Sequence, residues 1–269
     1  MPIMPDGIRT GRTNCGLNHR KVDMAKLKFQ RANDQAKLKA IAGWIGYEPR
    51  VYSFSLPSGW TCPFALDCLS KADRTTGKIT DGRDTQFRCF MASMEAMSPQ
   101  LRAQVWNNFD ILRHLDYEGM VGALYEAVPE DLDICRVHVG GDFYNQRYFE
   151  AWMQVARLYP QKKFYAYTKS IPYWLANLGD IPPNFILTGS RGGRMDALLD
   201  EFQMKVAEVV FSLEEAEERG LPIDHTEFYA LNDEGNFALL IHGTQPKGTE
   251  AAEATKTLRK QGVQYAYSR

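Results

Sequence analysis

This sequence lacks several features that would settle its class at once. It has no run of eighteen apolar residues, which excludes a membrane-spanning helix. Residues 1–10 hold two prolines and no apolar core, so no secretory leader is expected. There is no internal repeat and no low-complexity tract. The net charge is −1, from 32 Lys and Arg against 33 Asp and Glu, so the whole molecule has no field that gathers polyanions. The segment Ser190-Arg191-Gly192-Gly193-Arg194 lacks the Gly, Lys and Ser/Thr order of a P-loop, so it does not support nucleoside triphosphatase chemistry. No two cysteines stand at the C-x2-4-C spacing of paired zinc ligands.

What is present is a globular composition, 44% hydrophobic and 24% charged over 269 residues. A chain of this length buries a sizeable core without staples. It has five cysteines, an odd number. With no leader expected, they point to a reducing cytoplasm, where clustered cysteines serve as metal ligands or reactive thiols. Three lie together, Cys62, Cys68 and Cys89, spaced C-x5-C-x20-C. Their neighbours Gly59, Thr61, Pro63, Asp67 and Arg88 are not those of a core. Three thiolates can hold an iron–sulfur cluster at varied spacing and leave one metal corner free. Zinc with a distant histidine is the competing reading, and three unliganded thiols the plain one. Cys15 and Cys135 stand apart, and Cys135 reads as core.

Residues 1–22 read as a loop or arm, and 24–45 has helical spacing. The first fifty residues carry ten Lys and Arg against four Asp and Glu. Such a segment either presents a solvated helix face or touches nucleic acid. Residues 71–87 form a polar insertion, an exposed loop or small hairpin. One long helical region is expected over 98–127, with Ser98-Pro99 as its start. Strand-like runs at 51–56, 135–139, 163–167, 184–187, 208–211 and 236–241 then alternate with helical stretches at 147–158, 172–178, 194–203 and 213–219. A hairpin is expected at 225–235 and a last strand at 262–267. The rhythm predicts an α/β fold with a parallel sheet, a TIM-like (β/α) barrel, complete or partial. Residues 1–48 would be its basic helical arm and 49–269 the barrel.

The strand ends are small, polar or charged, and in such a barrel they converge on one working face. Gly140-Gly141-Asp142 reads either as a turn in which Asp142 or Asn145 caps a helix, or as backbone that a ligand approaches, with Asp142 and Tyr144 as polar contacts. Thr168-Lys169-Ser170 would bind a carboxylate or phosphate, unless Lys169 faces solvent and Ser170 is a cap. Ser190 and Arg191 open an anion-type loop at a helix start. His138 and His242 end strands, and would be structural, a fourth metal ligand or a proton donor.

Leu56-Pro57-Ser58-Gly59, Cys62-Pro63, Cys68 and Arg88-Cys89-Phe90-Met91-Ala92 are followed by Val137-His138-Val139-Gly140-Gly141-Asp142-Phe143-Tyr144, Tyr167-Thr168-Lys169-Ser170 and Gly189-Ser190. In this combination the chain resembles the phage gene product 88-like family, over roughly residues 50–245. Its layout is also similar to radical S-adenosylmethionine enzymes. Those carry three cluster cysteines after the first strand and a Gly-Gly-acid motif after the second that holds the methionine amine. The usual C-x3-C-x2-C loop differs from the spacing here, where the third cysteine stands twenty residues beyond the second.

The resemblance implies a phage protein in the host cytoplasm with a [4Fe-4S] cluster on Cys62, Cys68 and Cys89. S-adenosylmethionine would then be a second cofactor and an electron donor a partner. The resulting expectation is redox or radical chemistry at the open iron. Asp142, Lys169 and Arg191 would hold a small charged substrate, and His138 or His242 would ligate or supply a proton. The alternative is a non-enzymatic module stabilised by zinc or a structural cluster. It would meet a host protein or nucleic acid through the insertion and the basic arm.

Overall fold

The computed structural model describes residues 26–33, 35–232 and 235–263. In chain order the first elements are β1 (Gln30–Arg31), α1 (Gln35–Ile45), β2 (Val51–Phe54), β3 (Ser70–Ala72), β4 (Ile79–Asp81), α2 (Phe90–Met97), α3 (Pro99–Leu112) and α4 (Tyr117–Ala127). Then follow β5 (Ile134–Val137), α5 (Gln146–Leu158), β6 (Lys163–Thr168), α6 (Ile171–Leu175), β7 (Phe185–Ser190), α7 (Asp196–Glu201), β8 (Val206–Val210), α8 (Leu213–Glu218), α9 (Phe228–Leu231), β9 (Phe237–Leu240) and α10 (Glu250–Lys260).

The helix starts follow from local chemistry. Ser98 accepts a hydrogen bond from Leu101 N–H at 3.2 Å, with Pro99 in the first turn. Asn145 accepts from Tyr148 N–H at 2.8 Å. Such caps satisfy amides that have no partner within the helix. The region 98–127 is two helices, because Asp116 caps a second start by accepting from Gly119 N–H at 2.9 Å.

Seven strands form one sheet in the order β1-β2-β5-β6-β7-β8-β9. β1 is antiparallel to β2, and the remaining neighbours are parallel. The segment 26–31, expected as helix, is extended because Gln30 and Arg31 pair with Ser53 and Tyr52. β3 and β4 make the small antiparallel hairpin of the insertion.

Alternate side chains serve two cores. Phe54, Cys135, Val137, Phe164 and Ala166 pack with Tyr148, Phe149 and Trp152 of α5 and Met120 and Leu124 of α4. Ile134 and Tyr165 face the other way, with Ile41 of α1 and Ala230 and Leu231 of α9. The α/β fold with a mostly parallel sheet is as expected, but the described residues do not form a complete barrel. Among the described residues the sheet ends at β1 and β9, and α1 and α9 cover the face that a closed barrel would turn inward. Residues 228–231, expected in a hairpin, form α9. The last expected strand, 262–267, lies largely outside the described residues, as does most of the basic arm. No helix among the described residues is long and apolar enough to cross a membrane.

Candidate functional site

The C-terminal ends of β5, β6, β7, β8 and β9, with the loop after β2, open on one cavity of about 160 Å³. That is the liquid volume of about five waters, at ~30 Å³ each. Cys62, Cys68 and Cys89 line it. So do His138, Gly140, Gly141, Asp142, Lys169, Ser190 and His242 among the residues singled out from sequence. Arg191, Tyr144, Thr168 and Ser170 lie outside its lining.

Two segments bring the cysteines together. Cys62 and Cys68 lie on the loop after β2, and Cys89 directly precedes α2. The hairpin β3–β4 takes up most of the chain between Cys68 and Cys89, which accounts for the wide spacing. Gly59 N–H donates to Cys62 Sγ at 3.3 Å. Burial pushes the Cys62 thiol well up, and the charges of Asp142, Cys68 and Cys89 add to this. The Cys89 thiol is pushed up to about 11 by burial and by Cys68, against the pull of the Ala92 and Met91 amides in the first turn of α2. The sulfurs therefore feel one another, and Cys62 and Cys89 are neutral thiols at pH 7 in the metal-free protein. A metal taken up there displaces their protons.

A single zinc ion needs its sulfurs about 2.3 Å from one point, hence within roughly 4 Å of each other. No group of three or more Cys, His, Asp or Glu among the described residues is placed to hold a metal ion. This weighs against a single ion held by these cysteines and gives a cluster no support of its own. In a polynuclear cluster each thiolate binds its own iron, so the sulfurs stand further apart.

The charged candidates are already engaged. Asp142 Oδ1 accepts from Thr168 Oγ1 at 2.6 Å and Phe143 N–H at 2.7 Å, and Oδ2 accepts from Lys169 N–H at 2.8 Å. Burial still raises its pKa against those bonds. Asp142 thus ties the β5 loop to the β6 loop. Lys169 Nζ donates to Ser190 O at 3.0 Å, Ser190 Oγ at 2.8 Å and Arg191 O at 2.7 Å, which occupies its three protons. Without a ligand it clamps the β7 loop. Arg191 pairs with Asp200 at 2.6 Å and Glu208 at 2.7 Å, away from the cavity. Ser170 Oγ donates to Phe143 O at 2.7 Å. The Tyr144 ring stacks on Tyr148 at 4.6 Å.

His138 is buried, and burial lowers its pKa to about 3. Its Nε2 meets Tyr148 OH at 2.8 Å, while Nδ1 is a buried atom with no hydrogen-bond partner. His242, expected as a fourth ligand, is bonded through Nδ1 to Leu240 O at 3.0 Å and packs on Phe90 at 4.9 Å.

The glycines answer to packing. A Cβ on Gly140 would come within 2.2 Å of Met91 Cγ, and one on Gly141 within 2.5 Å of Thr61 Oγ1. Gly141 also has φ +81°, which favours glycine. The close approach is made by the cysteine-bearing loop and α2. Gly140→Ala is expected to cost about 1–3 kcal/mol by overpacking, read as a lowered urea midpoint. Gly43→Ala, with no atom within 4 Å of the added Cβ, is the control. Equal midpoints for the two variants would count against this role for Gly140.

Sequence reading missed the cavity floor. Arg136 and Tyr167 line it, and Arg136 lies 4.8 Å over the Tyr167 ring. Arg136 pairs with Glu227 at 2.8 Å, and Tyr167 OH donates to Glu227 at 3.1 Å. Lys37 also pairs with Glu227. These cations, with the Tyr167 bond, outweigh burial and bring the Glu227 pKa down to about 2.

A family model described as Gene product 88 matches residues 21–261. The Gene 88 protein of Mycobacterium phage L5 is 29% identical over 160 residues, covering 54% of this chain and 59% of that protein. The Gene 88 protein of Mycobacterium phage D29 is 26% identical with the same coverage. The match thus spans 59% of the length of each of these curated relatives. No solved structure matches the chain.

Proposed function

The chain belongs to the Gene product 88 family, and from that premise we propose that it is an iron–sulfur protein doing redox chemistry on a small molecule in the strand-end cavity. One observation carries the reading: three cysteines from two separate segments line the cavity on which five strand ends open. Cys62, Cys68 and Cys89 would hold a [4Fe-4S] cluster, which supplies one-electron transfer and one iron open to a further ligand. His138 works here as a neutral group, since burial keeps its pKa near 3. Its Nε2 contact with Tyr148 fixes the ring, so only Nδ1 is left for a bound molecule. Asp142 and Lys169 hold the wall of the cavity together. Leu239, Ile241, Val209 and Phe90 add apolar lining that excludes water.

S-adenosylmethionine is left out of this proposal. The carboxylate that would take its amine already accepts from three donors. Anaerobic purification tests the reading. The expected result is a brown protein with iron and acid-labile sulfide in equal amounts. A colourless protein with stoichiometric zinc and no sulfide would sink it. Adding S-adenosylmethionine to the reduced protein is expected to leave its electron paramagnetic resonance spectrum unchanged, and a shifted spectrum would return Asp142 to the role of ligand.

A further inference from the structure

A surface groove of about 530 Å³ runs between the hairpin and α3, lined by Arg74, Thr75, Pro99, Arg102, Trp106 and Asn107 among others. Trp60 stands beside it, 47% exposed, its ring 5.7 Å from that of Trp106. Trp60 Nε1–H donates to Ala72 O at 3.0 Å, which fixes the ring against the hairpin. Each indole carries a cation. Lys71 Nζ is 4.8 Å over Trp60, and the Arg74 guanidinium is 4.8 Å over Trp106.

We propose that this groove binds single-stranded nucleic acid, with bases on the exposed Trp60 ring and phosphates on the adjoining cations. Aromatic faces interleaved with Lys and Arg are what an unpaired strand uses, because every base has a ring face and every link a negative charge. Three further observations favour this occupant. Two guanidinium groups, Arg74 and Arg113, share the single carboxylate of Asp110, which leaves the groove edge cationic. The hairpin segment adds Lys71, Lys78 and Arg83 against Asp73, Asp84 and Asp81, of which Asp81 is paired with Arg88 of the cysteine cavity.

The third observation is Lys26, an exposed cation whose O accepts from the groove residue Asn107 through Nδ2 at 2.9 Å. The net charge of −1 excludes a general attraction for polyanions, so the binding is local to this face.

The proposal stands apart from the iron–sulfur reading and is tested without it. A fluorescein-labelled thymidine dodecamer, its uridine counterpart and a duplex of mixed sequence are titrated with the full chain by anisotropy, from low to physiological salt. Single strands are expected to bind at low salt and to weaken as salt rises. Trp60→Ala is expected to weaken binding about 5- to 150-fold, the equivalent of one lost base stack at ~1–3 kcal/mol. Lys71→Gln and Arg74→Gln should each lower the salt slope by about 0.7. Circular dichroism establishes that each variant is folded, and the charge variants stand in if Trp60→Ala is not. No retention of either strand at low salt overturns the proposal. So does duplex binding that equals single-strand binding, or affinity that none of the folded variants changes. An indole pair that serves a protein partner gives the first of those results.

Discussion

Replacing Cys62, Cys68 or Cys89 singly by alanine is expected to abolish cluster retention in each case. All three line the cavity. Of the remaining cysteines, Cys135 is fully buried in the core under α5, where burial drives its pKa far up. It is therefore no substitute ligand. A cluster held by two thiolates has two open irons and is lost to chelators and solvent. The check is iron and sulfide per chain, with the visible absorption band, after anaerobic reconstitution. Cys135→Ala is expected to load normally despite some loss of stability. Full colour in any one of the three cavity variants would remove that residue from the ligand set. Loading should also strengthen as pH rises, because Cys62 and Cys89 surrender protons that burial holds to high pH.

Glu95→Gln is expected to remove a pH dependence of stability worth about 3 kcal/mol between about pH 4.5 and pH 7. Glu95 is buried in α2, and Oε1 accepts from Ser58 N–H at 2.9 Å, so it ties the cysteine loop to α2. Burial raises its pKa from 4.5 to about 7, outweighing the Ser58 bond and the charge of Arg102. The folded state therefore keeps a proton that the unfolded state loses. Stability from this group is fully present below about pH 4.5 and falls as pH rises towards 7. Glu227 does not confuse the window. Its pKa is lowered to about 2, so its contribution is constant above about pH 4.5. Urea unfolding at pH 5 and pH 7.5 measures the difference. Parallel pH trends in wild type and Glu95→Gln would show that Glu95 is not the group responsible.

Local chemistry was legible in the sequence, and long-range commitment was not. The alternation of strand and helix from β5 to β8 stood in the apolar spacing, and Ser98-Pro99 marked its helix start by composition alone. The convergence of three cysteines with the strand-end loops also followed, because parallel strands deliver their C-terminal ends to one side. What failed were inferences about what a charged side chain is free to do. Lys169 and Arg191 show their charge in the sequence but not the acceptors that claim it. Arg136 and Glu227 are 91 residues apart and carry no local sign of meeting. Glycine at 140 and 141 reads the same whether a ligand or a neighbouring loop comes close. The covered inner face depended on α9, four residues too short for periodicity to declare.

The order of strands in the sheet also implies an order of assembly. From β2 onward the spatial sequence β2-β5-β6-β7-β8-β9 is the sequence of synthesis. Each parallel strand therefore docks on an edge that already exists, as a chain made from its N-terminus requires. Cys62, Cys68 and Cys89 all precede β5. They leave the ribosome with only β2 of the parallel strands, before Gly140, Lys169, Ser190 or His242 have been made. The sulfurs thus face their surroundings for as long as the later strands take to be translated, and are enclosed only when β9 docks.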